Sequence, residues 1–279
     1  MNTNPSPLRH IERSDPAIVT DGLQFVTVKS AALQHRADVT LFVPPQARGV
    51  DDLPIVLLLH GVYGSHWAWA LKGAAHLSLA QLVAEGALPP VALLMPSDGL
   101  AGDGSGYVLH AFEDAEGWIM DEVPALARAI VPGCTPRSPL LVAGLSMGGF
   151  GALRLAGKYP QRIAAAAAHS TITEVAQLDA LLDHGRAGWS TAPADRSVLA
   201  ALLDAGAALP PIRFDCGRED TLIEANRALH RALTAAGVAH CYSENDGGHD
   251  WAYWTRALAD TLRFFGWVLR GKPEREGSE

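Results

Sequence analysis

No apolar run in this 279-residue chain approaches the roughly 20 residues that a membrane-spanning helix needs. The apolar run at 163–168 is far too short and suits a buried strand. Residues 1–21 are polar and contain proline, without the apolar core of a secretory signal, so a cytoplasmic protein is expected. Cysteine is scarce. Cys134, Cys216 and Cys241 are widely spaced and form no Cys-x-x-Cys pair, which argues against a zinc site and for reduced thiols. A Cys216–Cys241 disulfide stays open only if their two strands are neighbours, and a reducing compartment disfavours it. Positive charge is also short: 22 Lys and Arg stand against 30 Asp and Glu, a net charge of −8. With no basic run, nucleic acid and anionic membrane are not expected as partners. No internal repeat or low-complexity tract is present, and nothing divides the composition as a domain linker would.

What is present is an alternation of short apolar runs with helical patterns. Period-two alternation marks strands at 23–29 and 37–43. Solid apolar runs at 55–60, 91–95, 140–144 and 163–169 read as buried central strands, and 212–216 and 239–244 complete the set. Between them lie helical patterns at 75–85, 111–130, 147–159, 221–236 and 250–270, with Pro124 near a start or a kink of the second. This rhythm predicts an α/β protein: a mostly parallel central sheet of about eight strands, with helices on both faces. The rhythm breaks at 170–211, which holds two helix-like segments, 174–183 and 196–205, and reads as a small helical cap over the carboxyl ends of the strands. The expected organisation is an N-terminal extension at 1–20, one domain at 21–270 carrying that insertion, and a charged tail at 271–279.

Residues 140–153 hold the most specific chemistry. An apolar strand enters Gly144-Leu-Ser-Met-Gly148, and a small-residue helix pattern leaves it. A Gly-x-Ser-x-Gly in strand–turn–helix context is a nucleophile elbow, with Ser146 lifted above the sheet edge. A serine hydroxyl needs a base to take its proton during attack, and that base needs a carboxylate to orient it. The base candidate is His249, in Asn245-Asp-Gly-Gly-His-Asp-Trp, after the last strand and before the last helix. His169, at a strand end, is its best rival, while His60 and His66 flank the loop after the third strand and suit a structural role. The acid candidate is Asp220, just past a strand end, with Asp215, Glu219 and Glu224 as rivals. An oxyanion needs two N–H donors. One is expected from Met147, at the N-terminus of the elbow helix, and one from Val62, in His60-Gly-Val-Tyr-Gly-Ser.

Among the aromatic residues, Tyr63, Tyr107 and Trp189 fall in loops or the insertion and are expected to touch substrate. Trp67, Trp69, Trp118 and Trp251 are further pocket candidates, although Trp251 and Trp254, on the last helix, suit the core better. The Gly- and Asp-rich stretch at 97–106 lacks the Gly-Lys-Ser/Thr of a phosphate loop and the carboxylate density of a calcium loop, so it reads as a loop beside the site.

Four motifs together resemble the putative esterase family of α/β-hydrolases: Leu59-His-Gly-Val-Tyr-Gly-Ser, Gly144-Leu-Ser-Met-Gly-Gly-Phe-Gly-Ala-Leu, Cys216-Gly-Arg-Glu-Asp-Thr-Leu and Gly247-Gly-His-Asp-Trp. That family includes S-formylglutathione hydrolase (esterase D), tributyrin, feruloyl and siderophore esterases, and mycolyltransferase antigens. The resemblance spans about residues 23–267. It implies an α/β-hydrolase fold, Ser146 as nucleophile, Asp220 as acid, His249 as base, and main-chain oxyanion donors at Val62 and Met147. Residues 111–118 depart from the pattern, with Ala115-Glu-Gly resembling an insertion, which bears on the pocket wall. The expectation is a serine carboxylic-ester hydrolase that uses no cofactor and no metal and acts on small or medium acyl or aryl esters. An acyltransferase on the same triad and a non-catalytic binding scaffold are the rival readings, and self-association stays open.

Overall fold

The computed structural model describes residues 8–19, 21–100 and 102–271. Among the described residues nine strands form one sheet: β1 (Leu8–Arg13), β2 (Leu23–Ser30), β3 (Arg36–Phe42), β4 (Ile55–Leu59), β5 (Ala92–Pro96), β6 (Leu140–Leu145), β7 (Ala165–His169), β8 (Ile212–Gly217) and β9 (Cys241–Asn245). Their spatial order is β1-β2-β3-β5-β4-β6-β7-β8-β9. β1, β2, β3 and β5 pair antiparallel, and every pairing from β5/β4 to β8/β9 is parallel. The chain steps from β4 to β5 on one side, then crosses to β6 on the other. That reversal opens a crevice at the carboxyl ends of β4 and β6, where open α/β sheets place ligands.

The helices are α1 (Ala68–Leu71), α2 (Ala75–Ala84), α3 (Ala115–Gly117), α4 (Val123–Ile130), α5 (Met147–Lys158), α6 (Pro193–Arg196), α7 (Val198–Ala205), α8 (Ile223–Ala235) and α9 (Trp251–Leu269). None among the described residues is long and apolar enough to cross a membrane. Strands β4 to β8 are buried along their whole length, because helices cover both faces. Alternate residues of β4 serve opposite cores. Ile55, Leu57 and Leu59 pack with α4, α5, α7 and α8, while Val56 and Leu58 pack with α1, α2 and α9.

The structure departs from the sequence expectation in three places. β1 adds an antiparallel edge within the stretch expected to be an extension. Its residues are mostly exposed, so it carries no apolar alternation to read. The helix expected over 111–130 starts at Ala115, where the Asp114 carboxylate accepts the Gly117 N–H at 2.7 Å. It then widens into a π-turn over Trp118–Glu122. Pro124 has no N–H to give the Met120 carbonyl, and the Arg162 guanidinium donates to that carbonyl instead. In the insertion, only a 3-10 turn (Val175–Ala180) forms where 174–183 suggested a helix. α7 runs beside α5 as the crossover between β7 and β8, so the insertion's helices flank the elbow helix and Leu181 reaches the crevice. In keeping with the expectation of reduced thiols, β8 and β9 are neighbours whose register sets Cys216 opposite Glu244 and Cys241 opposite Arg213. The tail expected at 271–279 lies outside the described residues beyond Gly271.

One buried ionic cluster fastens the insertion to the elbow helix. Arg154 on α5 is fully buried and donates to Glu116, to Asp195 at 2.7 Å and to the Tyr107 carbonyl. Lys158 bridges the same two carboxylates, and the Tyr159 hydroxyl donates to Glu116. Burial pushes both carboxyls up. For Glu116 the Arg154 charge and the Lys158 and Tyr159 hydrogen bonds outweigh it, and for Asp195 the Lys158 and Ser190 bonds do so, which leaves both below the usual carboxylate range. Removing one partner of such a cluster strands buried charge. Arg154→Met should therefore lower stability by about 3–5 kcal/mol, read as the urea midpoint at neutral pH. Carboxyls lowered in the folded state give stability above their ordinary values near about 4 and lose it as pH falls through the lowered ones. The gap between wild type and variant should accordingly narrow in acid. Equal midpoints at neutral pH would sink this account.

Candidate active site

Ser146 joins β6 to α5 with φ 54° and ψ −118°, a conformation that L-residues rarely adopt. Its flanking glycines make the turn possible. A Cβ at Gly144 would overlap the Gly148 carbonyl, and one at Gly148 would overlap the Leu59 carbonyl. The turn is pinned from below by the Ser146 N–H, which donates to the His169 carbonyl at 2.9 Å.

His249 Nε2 lies 3.1 Å from Ser146 Oγ, and its Nδ1 lies 2.9 and 3.1 Å from the two Asp220 oxygens. An ionised carboxylate only accepts, so Nδ1 carries the proton and Nε2 offers a lone pair to the hydroxyl. Trp254 meets the imidazole edge-on, with centroids 4.9 Å apart. Burial pushes the Asp220 carboxyl up, but hydrogen bonds from His249, Ser170 and the Leu222 N–H outweigh it and hold the carboxyl below its usual range.

Ser170 is a contributor that sequence reasoning missed. It follows β7 with φ 47° and is fully buried. Its hydroxyl accepts from Trp254 Nε1 at 3.1 Å and bonds Asp220. The adjacent Cys216 thiol is pushed well up by burial and by the Asp220 charge, against a hydrogen bond from Ser170 that lowers it. No spacing rule links position 170 to position 220; only the fold joins them.

The rival acids and bases are committed elsewhere. His169 is fully buried, with Nδ1 3.0 Å from both oxygens of Asp215 and Nε2 3.3 Å from Thr261 Oγ1. Asp215 also accepts from the Tyr253 hydroxyl at 2.8 Å and pairs with Arg213. Glu219 accepts the Gly247 N–H, and Glu224 pairs with Arg227 on the surface.

The loop after β4 is held in shape from several directions. Tyr107 donates its hydroxyl to the His60 carbonyl at 2.9 Å, the His60 ring bonds the Gly61 carbonyl and the Asp98 N–H, and the Tyr63 N–H reaches the Asp103 carbonyl. His66 bonds the Thr40 hydroxyl. The Val62 and Met147 N–H groups find no protein acceptor among the described residues. Asp98 spends its carboxylate on the Leu100 and Ser105 N–H groups, so the 97–106 loop is internally bonded. No cluster of His, Cys, Asp and Glu that could hold a metal occurs among the described residues.

Ser146 and His249 open into a cavity of about 490 Å³. Of the three expected substrate contacts, only Tyr63 lines it, with its hydroxyl bonded to the Leu181 carbonyl. Tyr107 is fully buried beneath the loop, and its role is to hold His60. Trp189 stacks on His110 at 4.7 Å and lines a separate cavity of about 180 Å³. Trp251 and Trp254, expected in the core, both line the Ser146 cavity together with Trp67 and Leu181. Trp69 and Trp118 are wholly buried.

Residues 30–265 match the model of a family described as "Putative esterase". The chain is 27% identical over 235 residues to an acetyl esterase of Caldicellulosiruptor saccharolyticus, covering 77% of this chain and 84% of that one. It is 26% identical over 265 residues to the iron(III) enterobactin esterase of Dickeya dadantii, covering 90% of this chain and 55% of the longer relative. Among solved structures, a ferulic acid esterase superposes with a TM-score of 0.76 at 24% identity, over 88% of this chain and 98% of its own. FphF, a fluorophosphonate-binding serine hydrolase of Staphylococcus aureus, also reaches 0.76, at 22% identity, over 87% and 97%.

The Ser170 bond yields a test. Ser170→Ala should slow phosphonylation of Ser146 by a fluorophosphonate on the order of tenfold, the cost of one hydrogen bond to a charged group. Freed of that bond, the Asp220 carboxyl titrates higher. The acid edge of the inactivation rate should then move to higher pH, because the ionised form is lost sooner as pH falls. An unchanged rate with an unchanged acid edge would show Ser170 to be structural only.

Proposed function

We propose, from the premise that this chain belongs to the putative esterase family of α/β-hydrolases, that it cleaves small or medium acyl or aryl esters through an acyl-enzyme on Ser146. The family makes it an esterase-type hydrolase. The observation that carries the finer reading is the single line of contacts from Asp220 through His249, 2.9 Å on one side and 3.1 Å on the other, to Ser146 Oγ. In this reading His249 Nε2 takes the Ser146 proton as Oγ attacks the carbonyl carbon. Charge moves to the carbonyl oxygen, which the Val62 and Met147 N–H groups receive. Both groups lack other acceptors among the described residues, and Met147 begins α5, whose N-terminus favours negative charge.

When the tetrahedral intermediate collapses, the leaving atom takes the proton from His249, and Ser146 is left as an ester. A water then gives its proton to His249 and attacks the acyl carbon; as the intermediate collapses, Ser146 Oγ takes that proton back from His249 and the acid is released. Asp220, held below the usual carboxylate range, stays ionised and balances the imidazolium in both halves. A cavity of about 490 Å³ with mainly apolar walls suits a small to medium ester. The expected partner is therefore a small molecule.

Ser146→Ala should lower kcat/KM on para-nitrophenyl butyrate by about 10⁴–10⁶-fold and abolish fluorophosphonate labelling, with the circular dichroism unchanged. A variant that keeps most of its turnover would overturn the assignment. Product analysis with an added alcohol distinguishes hydrolysis, which yields the free acid, from transfer, which yields a new ester.

A further inference from the structure

The wall of the Ser146 cavity carries a cation that the reaction above does not use. Lys72 ends α1 and lines the cavity together with Trp67, Trp251 and Trp254. Its Nζ stands 5.5 Å from the centroid of the Trp251 ring. That ring is held edge-on by Trp69 at 5.5 Å and by Trp254 at 5.4 Å, so the perch under the ammonium is fixed. The chain reaches this position because residue 73 is glycine: a Cβ there would come within 2.8 Å of the Trp251 ring. No ion pair among the described residues uses Lys72. The other charged groups on the wall are committed. His60 has both ring nitrogens bonded, His249 serves Ser146, and Asp250 caps α9 by accepting the Tyr253 N–H at 2.9 Å.

We propose that Lys72 and Trp251 form a subsite for a carboxylate on the leaving group, so that the preferred substrates are esters of alcohols or phenols that carry a carboxylate. This rests on the serine-esterase reading above and names its substrate class. The side follows from the chemistry. His249 delivers its proton to the leaving atom, and the wall that continues from His249 is Asp250 and Trp251, with Lys72 over the latter. The leaving group departs along that wall, where the indole offers an apolar face and the ammonium a counter-charge.

The test compares para-acetoxybenzoate, whose leaving phenol carries a carboxylate, with its neutral methyl ester. Each kcat/KM is divided by the hydroxide-catalysed rate of the same ester, which removes the difference in leaving ability. The anionic ester should be favoured about fivefold in the wild type, the scale of one well-placed, partly exposed charge pair, and added salt should narrow the ratio. Lys72→Gln should bring the ratio towards one, and Lys72→Glu should invert it. Because two substrates are compared on one protein, the ratio is insensitive to any general loss of fold. A wild-type ratio of one, or a ratio kept in Lys72→Gln, overturns the subsite while leaving the esterase reading intact. A Lys72-dependent preference for para-nitrophenyl hemisuccinate over the pentanoate overturns its assignment to the leaving group. Failure to hydrolyse either acetoxy ester, with no fluorophosphonate labelling, brings down both readings.

Discussion

At Gly148 the first turn of α5 runs against the carbonyl groups of Leu59 and His60, with no room for a methyl group between them. This contact joins the end of β4 to the turn after β6. It brings the Val62 loop, which follows β4, to the same cavity as Ser146, which follows β6. Neither loop could drift outward without opening a void in a close-packed sheet edge. The positive φ at Ser146 is strain that the surrounding contacts hold in place: the His169 carbonyl fixes the serine N–H from below, and Gly144 lets the returning helix pass.

Comparing two of the fold's histidine–carboxylate pairs, His169–Asp215 and His249–Asp220, explains why only the second suits the proposed catalysis. His169 and Asp215 sit side by side on β7 and β8. Both are fully buried, and the remaining ring nitrogen of His169 meets a threonine hydroxyl packed in the core. That pair is saturated and unreachable, and it works as a polar rivet between the sheet and α9. His249 and Asp220 lie on loops after β9 and β8, where no ladder constrains the imidazole. Its second nitrogen faces a hydroxyl at the wall of a cavity. Chemical potential here depends on what the far nitrogen faces and on whether a substrate can arrive. The Ser170 bond adds a coupling between the two, since β7 supplies the His169 carbonyl to the elbow and, one residue later, the hydroxyl to Asp220.

Much of the candidate site was legible before the fold because its pattern is local in sequence. The turn at Ser146 needs glycines at fixed offsets, and the proposed base and acid follow strand ends, so both leave marks that a linear reading finds. β4 to β7 were legible because burial on both faces demands an unbroken apolar run. β1 was not, because an edge strand of charged residues lacks both signals. Tyr107 misled for a physical reason: a tyrosine in a polar loop suggests contact with substrate, yet its ring is buried and its hydroxyl serves the His60 carbonyl. Arg154 meets Glu116 38 residues away and Ser170 meets Trp254 84 residues away, and no spacing rule encodes such pairs.

The tryptophans at 251 and 254 show why substrate preference is the least legible property of this chain. Their helical spacing assigns them to the core, and they do pack there, but the first turn of α9 ends at the cavity, so the same rings are also its wall. A side chain that closes a core and lines a pocket leaves one pattern for two roles. Loop 60–72 has the opposite difficulty, since its exposed tyrosine, tryptophan and lysine follow no period at all. The rate-enhancing groups must keep fixed geometry to one another, which forces regular offsets. The groups that choose a substrate need only face the same space, and space shared by residues far apart in sequence exists only once the sheet has brought β4, β6 and α9 together.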